Sequence, residues 1–139
     1  MREANRVRKN DIKYLIQLNE EQKQAKELII NNQIVVITGR AGCGKSLISA
    51  QASLDFLFKK ECNHIFITRA TIEVGNSLGY LPGALEDKFN PYLEAFQENL
   101  VKCYDKVKIE ELVKTKRIIA YPIQFIRGKT IDDVLVVEE

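Results

Sequence analysis

Ile34-Val35-Val36-Ile37-Thr38-Gly39-Arg40-Ala41-Gly42-Cys43-Gly44-Lys45-Ser46 decides how this chain is read. An apolar run of β type leads into the pattern Gly, four residues, Gly-Lys-Ser. Leu47, Ile48, Ala50, Leu54, Leu57 and Phe58 then recur at helical spacing, which predicts a helix from Lys45 to about Lys60. Strand, glycine loop and helix form the setting in which this pattern binds phosphate. The glycines let successive N–H groups turn inward as an anion nest. The loop ends on a helix N-terminus, where unpaired N–H groups and the dipole favour negative charge. Lys45 is the candidate for the β- and γ-phosphates and the Ser46 hydroxyl for Mg²⁺. Gly39, Arg40, Ala41, Gly42, Cys43, Gly44, Lys45, Ser46 and Leu47 together form the expected cradle for a nucleoside triphosphate. The competing reading is a plain glycine-rich turn between a strand and a helix.

Working outward, 139 residues make one domain with room for a core. Hydrophobic residues are 45% and charged residues 29%, which suits a soluble globular chain. The net charge of +2 argues for no nucleic-acid partner by itself. Its distribution says more: residues 1–13 carry +3, residues 71–98 carry −4 and residues 99–130 carry +5. The basic segments could track a phosphate backbone or be solvated surface. Cys43, Cys62 and Cys103 are far apart and match no metal-ligand spacing, which points to a reduced, cytoplasmic setting. Cys43, inside the loop, is open to alkylation on this reading. No apolar run reaches membrane-spanning length and the N-terminus lacks a signal-peptide core, so no membrane association is expected.

Asn19 with Gln22 has the form of a capping box opening a helix to about Asn31. Strands are predicted at Ile34–Thr38, His64–Thr68, Arg117–Tyr121 and Val134–Val137. A loop-rich stretch fills Thr71–Asn90. Asn90-Pro91 reads as the cap and first turn of a helix with Tyr92, Leu93, Phe96 and Leu100 on its apolar face. A short helix follows at about Lys108–Lys114. Alternating strands and helices predict an α/β fold with a mostly parallel sheet flanked by helices. Continuous apolar runs predict strands buried on both faces. Right-handed crossovers would gather Gly39–Ser46, Arg69 and Glu138-Glu139 at one sheet edge.

Val134-Leu135-Val136-Val137-Glu138-Glu139 is an apolar strand ending in two acids. Glu138 is the candidate metal-holding carboxylate and Glu139 the candidate base that polarises an attacking water. With Lys45, these are the expected catalytic residues.

Further stretches carry a family resemblance. Ala41-Gly42-Cys43-Gly44-Lys45-Ser46, the run Thr68-Arg69-Ala70-Thr71-Ile72-Glu73-Val74-Gly75-Asn76-Ser77-Leu78-Gly79-Tyr80-Leu81-Pro82-Gly83, then Lys88, Pro91-Tyr92, Pro122, Phe125-Ile126-Arg127-Gly128 and Thr130 resemble the PhoH-like ATPases. Those are P-loop proteins with a RecA-like core, related to superfamily-one helicases and found in bacteria and their phages. The resemblance covers about residues 19–139. It implies ATP and Mg²⁺ as ligands and RNA or another single-stranded nucleic acid as partner. It implies homo-oligomers in which one subunit completes another's site. It also implies that Gln22 contacts adenine, beside or instead of its capping role. Thr68 and Arg69 would lie near the nucleotide or the nucleic-acid path. Arg127 would contact phosphate or hold the loop of the acidic strand, against a plainer reading as a surface arginine.

Several positions depart from the family pattern. Arg40 stands for a usual proline, Cys43 and Ser46 for threonines, Ala70 for a proline and Glu138 for the metal-holding aspartate. The longer Glu138 should trouble catalysis more than binding. The family continues past the acidic pair, and in RecA-like sheets the next strand inserts between the acidic strand and the loop strand. The expectation is therefore residues 1–18 as a basic arm or helix and residues 19–139 as the N-terminal part of the ATPase domain, with C-terminal strands missing. The leading function is ATP hydrolysis coupled to nucleic acid. The alternative is a nucleic-acid-binding module with a weak or regulatory nucleotide site. A small-molecule phosphotransferase fits the Thr68–Gly83 stretch poorly, and no Asn-Lys-x-Asp run supports a GTPase.

Overall fold

The computed structural model describes residues 12–69, 85–123, 126, 128 and 130–138, with residues 85–92 described by backbone alone. Helix α1 spans Glu20–Asn31 and α2 spans Lys45–Phe58. Strand β1 is Ile65–Arg69, helix α3 Leu85–Cys103 and helix α4 Lys106–Lys114. Strands β2, Ile118–Ala120, and β3, Val134–Glu138, complete the order.

The strands form one parallel sheet in the order β2-β1-β3. Ile65 aligns with Ile118 on one side and Val134 on the other. At the far end Arg69 aligns with Glu138. Parallel neighbours need crossover connections, and helices supply them. This is the α/β, mostly parallel architecture of the RecA-like P-loop fold.

Local signals explain where the helices begin. Asn19 accepts from the Gln22 N–H at 2.8 Å, and the Gln22 side chain accepts from the Asn19 N–H at 3.0 Å. Both halves of the capping box are therefore made. Asp105 caps α4 through the Lys108 N–H at 3.2 Å. The apolar faces of α2, α3 and α4 meet on β1 and β2. Leu54, Leu57, Phe96, Leu100, Ile109 and Leu112 are all 1% exposed or less. Burial of this kind stabilises by roughly 1.5–3 kcal/mol per large side chain.

Three expectations are corrected. The Ile34–Thr38 run is not a strand: it pairs with none of β1, β2 and β3. Its burial still alternates, with Val35 and Ile37 half-buried while Ile34 and Val36 are 87% and 83% exposed. A strand is defined by a ladder, and the sheet offers this run no neighbour. The helix expected from Asn90-Pro91 starts earlier, at Leu85, and continues through Pro91. Proline leaves out one ladder bond, but Phe96, Leu100 and Cys103 are fully buried and anchor the later turns. Finally, β3 is covered on one face only. Val134 and Val136 pack on the core, whereas Leu135 and Val137 are 40% and 53% exposed.

The path of α2 locates the loop. Its last residue joins the start of β1 through Lys59–His64, and the helix lies on the sheet. Its 14 residues run back about 21 Å. The N-terminus of α2, with the glycine loop, therefore lies toward the C-terminal edge of the strands.

Candidate functional site

Gly42 and Gly44 hold φ of 83° and 97°, the left-handed region that disfavours a Cβ. Gly44 is the N-cap of α2 and has no side chain to cap it, so the first N–H groups of the helix face the loop. Cys43 N–H closes the turn onto the Arg40 carbonyl at 3.2 Å. The Lys45 ammonium folds back and donates to the Gly39 carbonyl at 2.5 Å. The Cys43 sulfur lies 2.8 Å from where a Cβ on Gly39 would stand. Lys45 thus rests on the loop's own backbone, at the Gly39 carbonyl.

Gln22 reaches this loop from α1. Its Nε2 donates to the Cys43 carbonyl at 3.0 Å. The same atom lies 2.5 Å from where a Cβ on Gly44 would stand. The amide therefore does two things in this structure: it completes the cap at Asn19 and it holds the loop. One acceptor lone pair and one donor hydrogen remain for a further partner.

At the strand ends, Thr68 and Glu138 come from adjacent strands. Thr68 is fully buried, and among the described residues its Oγ1 has no hydrogen-bond partner; the Glu138 Oε1 is also enclosed without one among them. Arg69 is engaged within the structure. An enclosed carboxylate oxygen without a partner is costly unless a cation or water satisfies it. Glu138 and the Ser46 hydroxyl are hard oxygen donors, the class Mg²⁺ takes. No group of three His, Cys, Asp or Glu is gathered for a metal among the described residues. A cation here would complete its shell with water and phosphate oxygens, as Mg²⁺ does at nucleotide sites. The residues fit the ion in chemical type. Glu139, Arg127, the arm at 1–11 and the stretch 70–84 lie outside the described residues.

A partly buried polar cluster between α1, α2 and the segment before α1 carried no sequence signal. Tyr14 donates its hydroxyl to Asp55 and also reaches the Gln51 carbonyl at 3.0 Å. Lys26 pairs with Asp55 at 2.9 Å, with both side chains largely covered at 17% and 10% exposure. The Lys26 ammonium lies 4.6 Å from the centre of the Tyr14 ring. Gln51 donates to the Ile16 carbonyl at 3.0 Å. Burial, then the Asp55 contact, pushes the Tyr14 phenol far above its usual range, so it stays a donor.

Cysteine chemistry separates the three thiols. Cys43 is exposed and free, while Cys62 and Cys103 are buried. Burial pushes the Cys62 thiol up and the Cys103 thiol up to about 11.

Residues 14–139 match the profile of the family described as PhoH-like protein. The chain belongs to that family. It is 34% identical over 116 residues to the PhoH-like protein of Mycobacterium tuberculosis, covering 84% of this chain and 33% of the relative. It is 30% identical over 116 residues to the PhoH-like protein of Synechocystis, covering 84% and 35%. Against the PhoH-like protein of Bacillus subtilis it is 30% identical over 148 aligned residues, covering 94% and 46%. The chain thus spans between a third and just under half of the length of these relatives. No helix among the described residues is long and apolar enough to cross a membrane.

Proposed function

We propose that this chain binds ATP with Mg²⁺ at Gly39–Leu47 and forms the nucleotide-binding part of an ATPase coupled to RNA or another single-stranded nucleic acid. On this reading Lys45 moves from the Gly39 carbonyl to the β- and γ-phosphates, and the free amides at the start of α2 hold their oxygens. Ser46 and Glu138 hold Mg²⁺, which when bound offsets charge on the phosphates. Glu139 orients and deprotonates the attacking water. Thr68, Arg69 and Arg127 face the nucleotide or the polymer. Gln22, which touches the loop at the Cys43 carbonyl, contacts the adenine on this reading. Residues 19–139 form the N-terminal part of the ATPase domain. Residues 1–18 are a basic arm or helix ahead of it; within that segment Tyr14 and Ile16 bond α2, and the Leu15 N–H bonds the Cys103 carbonyl of α3. A homo-oligomer that completes the site and a cytoplasmic setting belong to the same proposal.

The observation that supports this most is the loop itself, with a left-handed glycine at the N-cap of α2 and the Lys45 ammonium folded over it. The test is Lys45→Ala in the full-length chain, read as binding of a fluorescent ATP analogue with Mg²⁺. A loss of binding of tenfold or more is expected. Unchanged binding overturns the reading.

The second reading, a nucleic-acid-binding module with a weak nucleotide site, is favoured by one observation. Glu138 aligns with Arg69 across the sheet, a cation able to claim a carboxylate that would otherwise hold the metal. Phosphate release stimulated by RNA supports the first reading. Retained nucleotide binding with no release under any nucleic acid supports the second.

A further inference from the structure

Gln22 and Lys26 lie one turn apart on the same face of α1. Gln51 and Asp55 lie one turn apart on the same face of α2. The two faces meet in the same order along both helices. Gln22 touches the loop at the start of α2, through the Cys43 carbonyl at 3.0 Å and close to Gly44. Lys26 touches the later turns, through Asp55 at 2.9 Å and the Gln51 side-chain oxygen at 3.4 Å. Tyr14 closes the cluster from the segment before α1, bonding Asp55 and lying beneath the Lys26 ammonium.

The apolar hold of α1 is partial. None of its residues is fully buried: Ala25 and Ile29 are half-buried on the face that carries Gln22 and Lys26, while Leu28 and Ile30 are 57% and 39% exposed. Partial apolar cover holds a helix against its neighbour but leaves its register to directional contacts. Lys26–Asp55 is the most enclosed charged contact it makes among the described residues; its other ion pair, Lys23–Glu20, is within the helix and exposed. A partly buried ion pair is weak as net stabilisation but strong in fixing geometry, because any shift leaves a covered charge unpaired.

We propose that Lys26, through Asp55, is a positioning residue for the phosphate loop: it holds α1 against α2 at the register in which Gln22 closes on Gly44 and the Cys43 carbonyl. This rests on the reading of Gly39–Ser46 as the nucleotide site. Among the described residues Lys26 and Asp55 make no hydrogen bond or ion pair to the loop, and on this proposal their effect on nucleotide affinity passes through Gln22. Tyr14 supports the pair by supplying Asp55 with a neutral donor that stays protonated.

The test is a double-mutant cycle in the full-length chain, read as affinity for a fluorescent ATP analogue with Mg²⁺ and, separately, as melting temperature. Lys26→Met and Gln22→Ala should each weaken binding about three- to tenfold. On the Gln22→Ala background, Lys26→Met should then cost no further affinity while still lowering the melting temperature. Asp55→Asn keeps an acceptor for Tyr14 and breaks the pair from its other side, so it gives a second variant with a different structural cost if Lys26→Met folds poorly. It should follow the same pattern. Affinity losses that multiply across the two positions overturn the proposal, as does a fall in melting temperature with affinity unchanged. Lys45→Ala separates the two readings. If Lys45→Ala abolishes binding and the cycle is additive, only the positioning role fails. If Lys45→Ala leaves binding intact, the nucleotide site fails and the positioning role with it.

Discussion

The covered half of the molecule and its open margin are built from similar sequence and behave differently. In the covered half, β1 carries Ile65 and Ile67 at 0% and 2% exposure, in the core shared with α2 and α3. At the margin, Ile34-Val35-Val36-Ile37 and Val134-Leu135-Val136-Val137 are as apolar as β1, yet Ile34 and Val36 stand in water and β3 keeps half its face uncovered. Apolar content does not decide burial. A strand is buried when a ladder holds it and a helix lies across it, and the margin lacks one or the other. The margin also holds the candidate chemistry: the glycine loop follows Thr38 directly, and Glu138 ends β3.

The largest expected effect breaks the covered half. Phe96 is fully buried between α3 and the rest of the core. Phe96→Ala should lower unfolding free energy by about 3–5 kcal/mol, the usual sum of lost transfer energy and a residual cavity. That is a large share of the roughly 5–15 kcal/mol typical of a domain. Urea denaturation checks it, and a loss under about 1 kcal/mol would mean the core is not packed as described.

The fold was legible where local chemistry and tertiary contacts agree. The Asn19–Gln22 box, the apolar spacing of α2 and the short runs of β1 and β2 each specify an element without help from afar. Pro91 misled because a local start signal lost to the anchoring of Phe96 and Leu100. Ile34–Thr38 misled because strand identity belongs to a pair of segments, and its partner cannot be read from its own residues. The glycine turn that opens α2 was legible for the opposite reason: the residues that shape it are contiguous, with Gly42 and Gly44 left-handed as the turn requires. The Tyr14–Lys26–Asp55 cluster was not. Tyr14 and Asp55 are 41 residues apart, and each reads alone as an ordinary surface residue. Only the packing of α1 on α2 makes them neighbours.

A smaller effect tests the seam between the two regions. Asp133 stands just before β3 and clips it to the start of β1. One carboxylate oxygen accepts the N–H groups of Asn63 and His64 at 2.8 and 3.3 Å, and the other lies 3.2 Å from the His64 ring nitrogen. Burial pushes this carboxyl up, but the Asn63 N–H and then the His64 contacts outweigh it and hold it below its usual value. A depressed carboxylate contributes stability above its unfolded pKa of about 3.9 and loses it as pH falls through the lower folded value. Wild type should therefore melt higher than Asp133→Asn above about pH 5, and the gap should close below about pH 4. A gap of one size from pH 3 to pH 7 would refute the clip.

The smallest expected effect sharpens the comparison most, because it asks whether the margin is as open in solution as it is in this fold. Ile34→Thr and Val36→Thr keep the β-branch, and with it the local backbone preference. They remove apolar surface from two side chains that are 87% and 83% exposed. An exposed methyl contributes almost nothing to folding, since it is wet in both the folded and unfolded states. The double variant should stay within about 0.5 kcal/mol of wild type, the range of surface substitutions away from special features. Apolar surface left in water also drives association, so the variant should scatter no more light than wild type at equal concentration; light scattering checks this beside the urea curve. A loss above about 1 kcal/mol would mean that these side chains are covered in solution. The margin would then be a second buried face rather than an open one, and the difference from β1 would lie in what covers it.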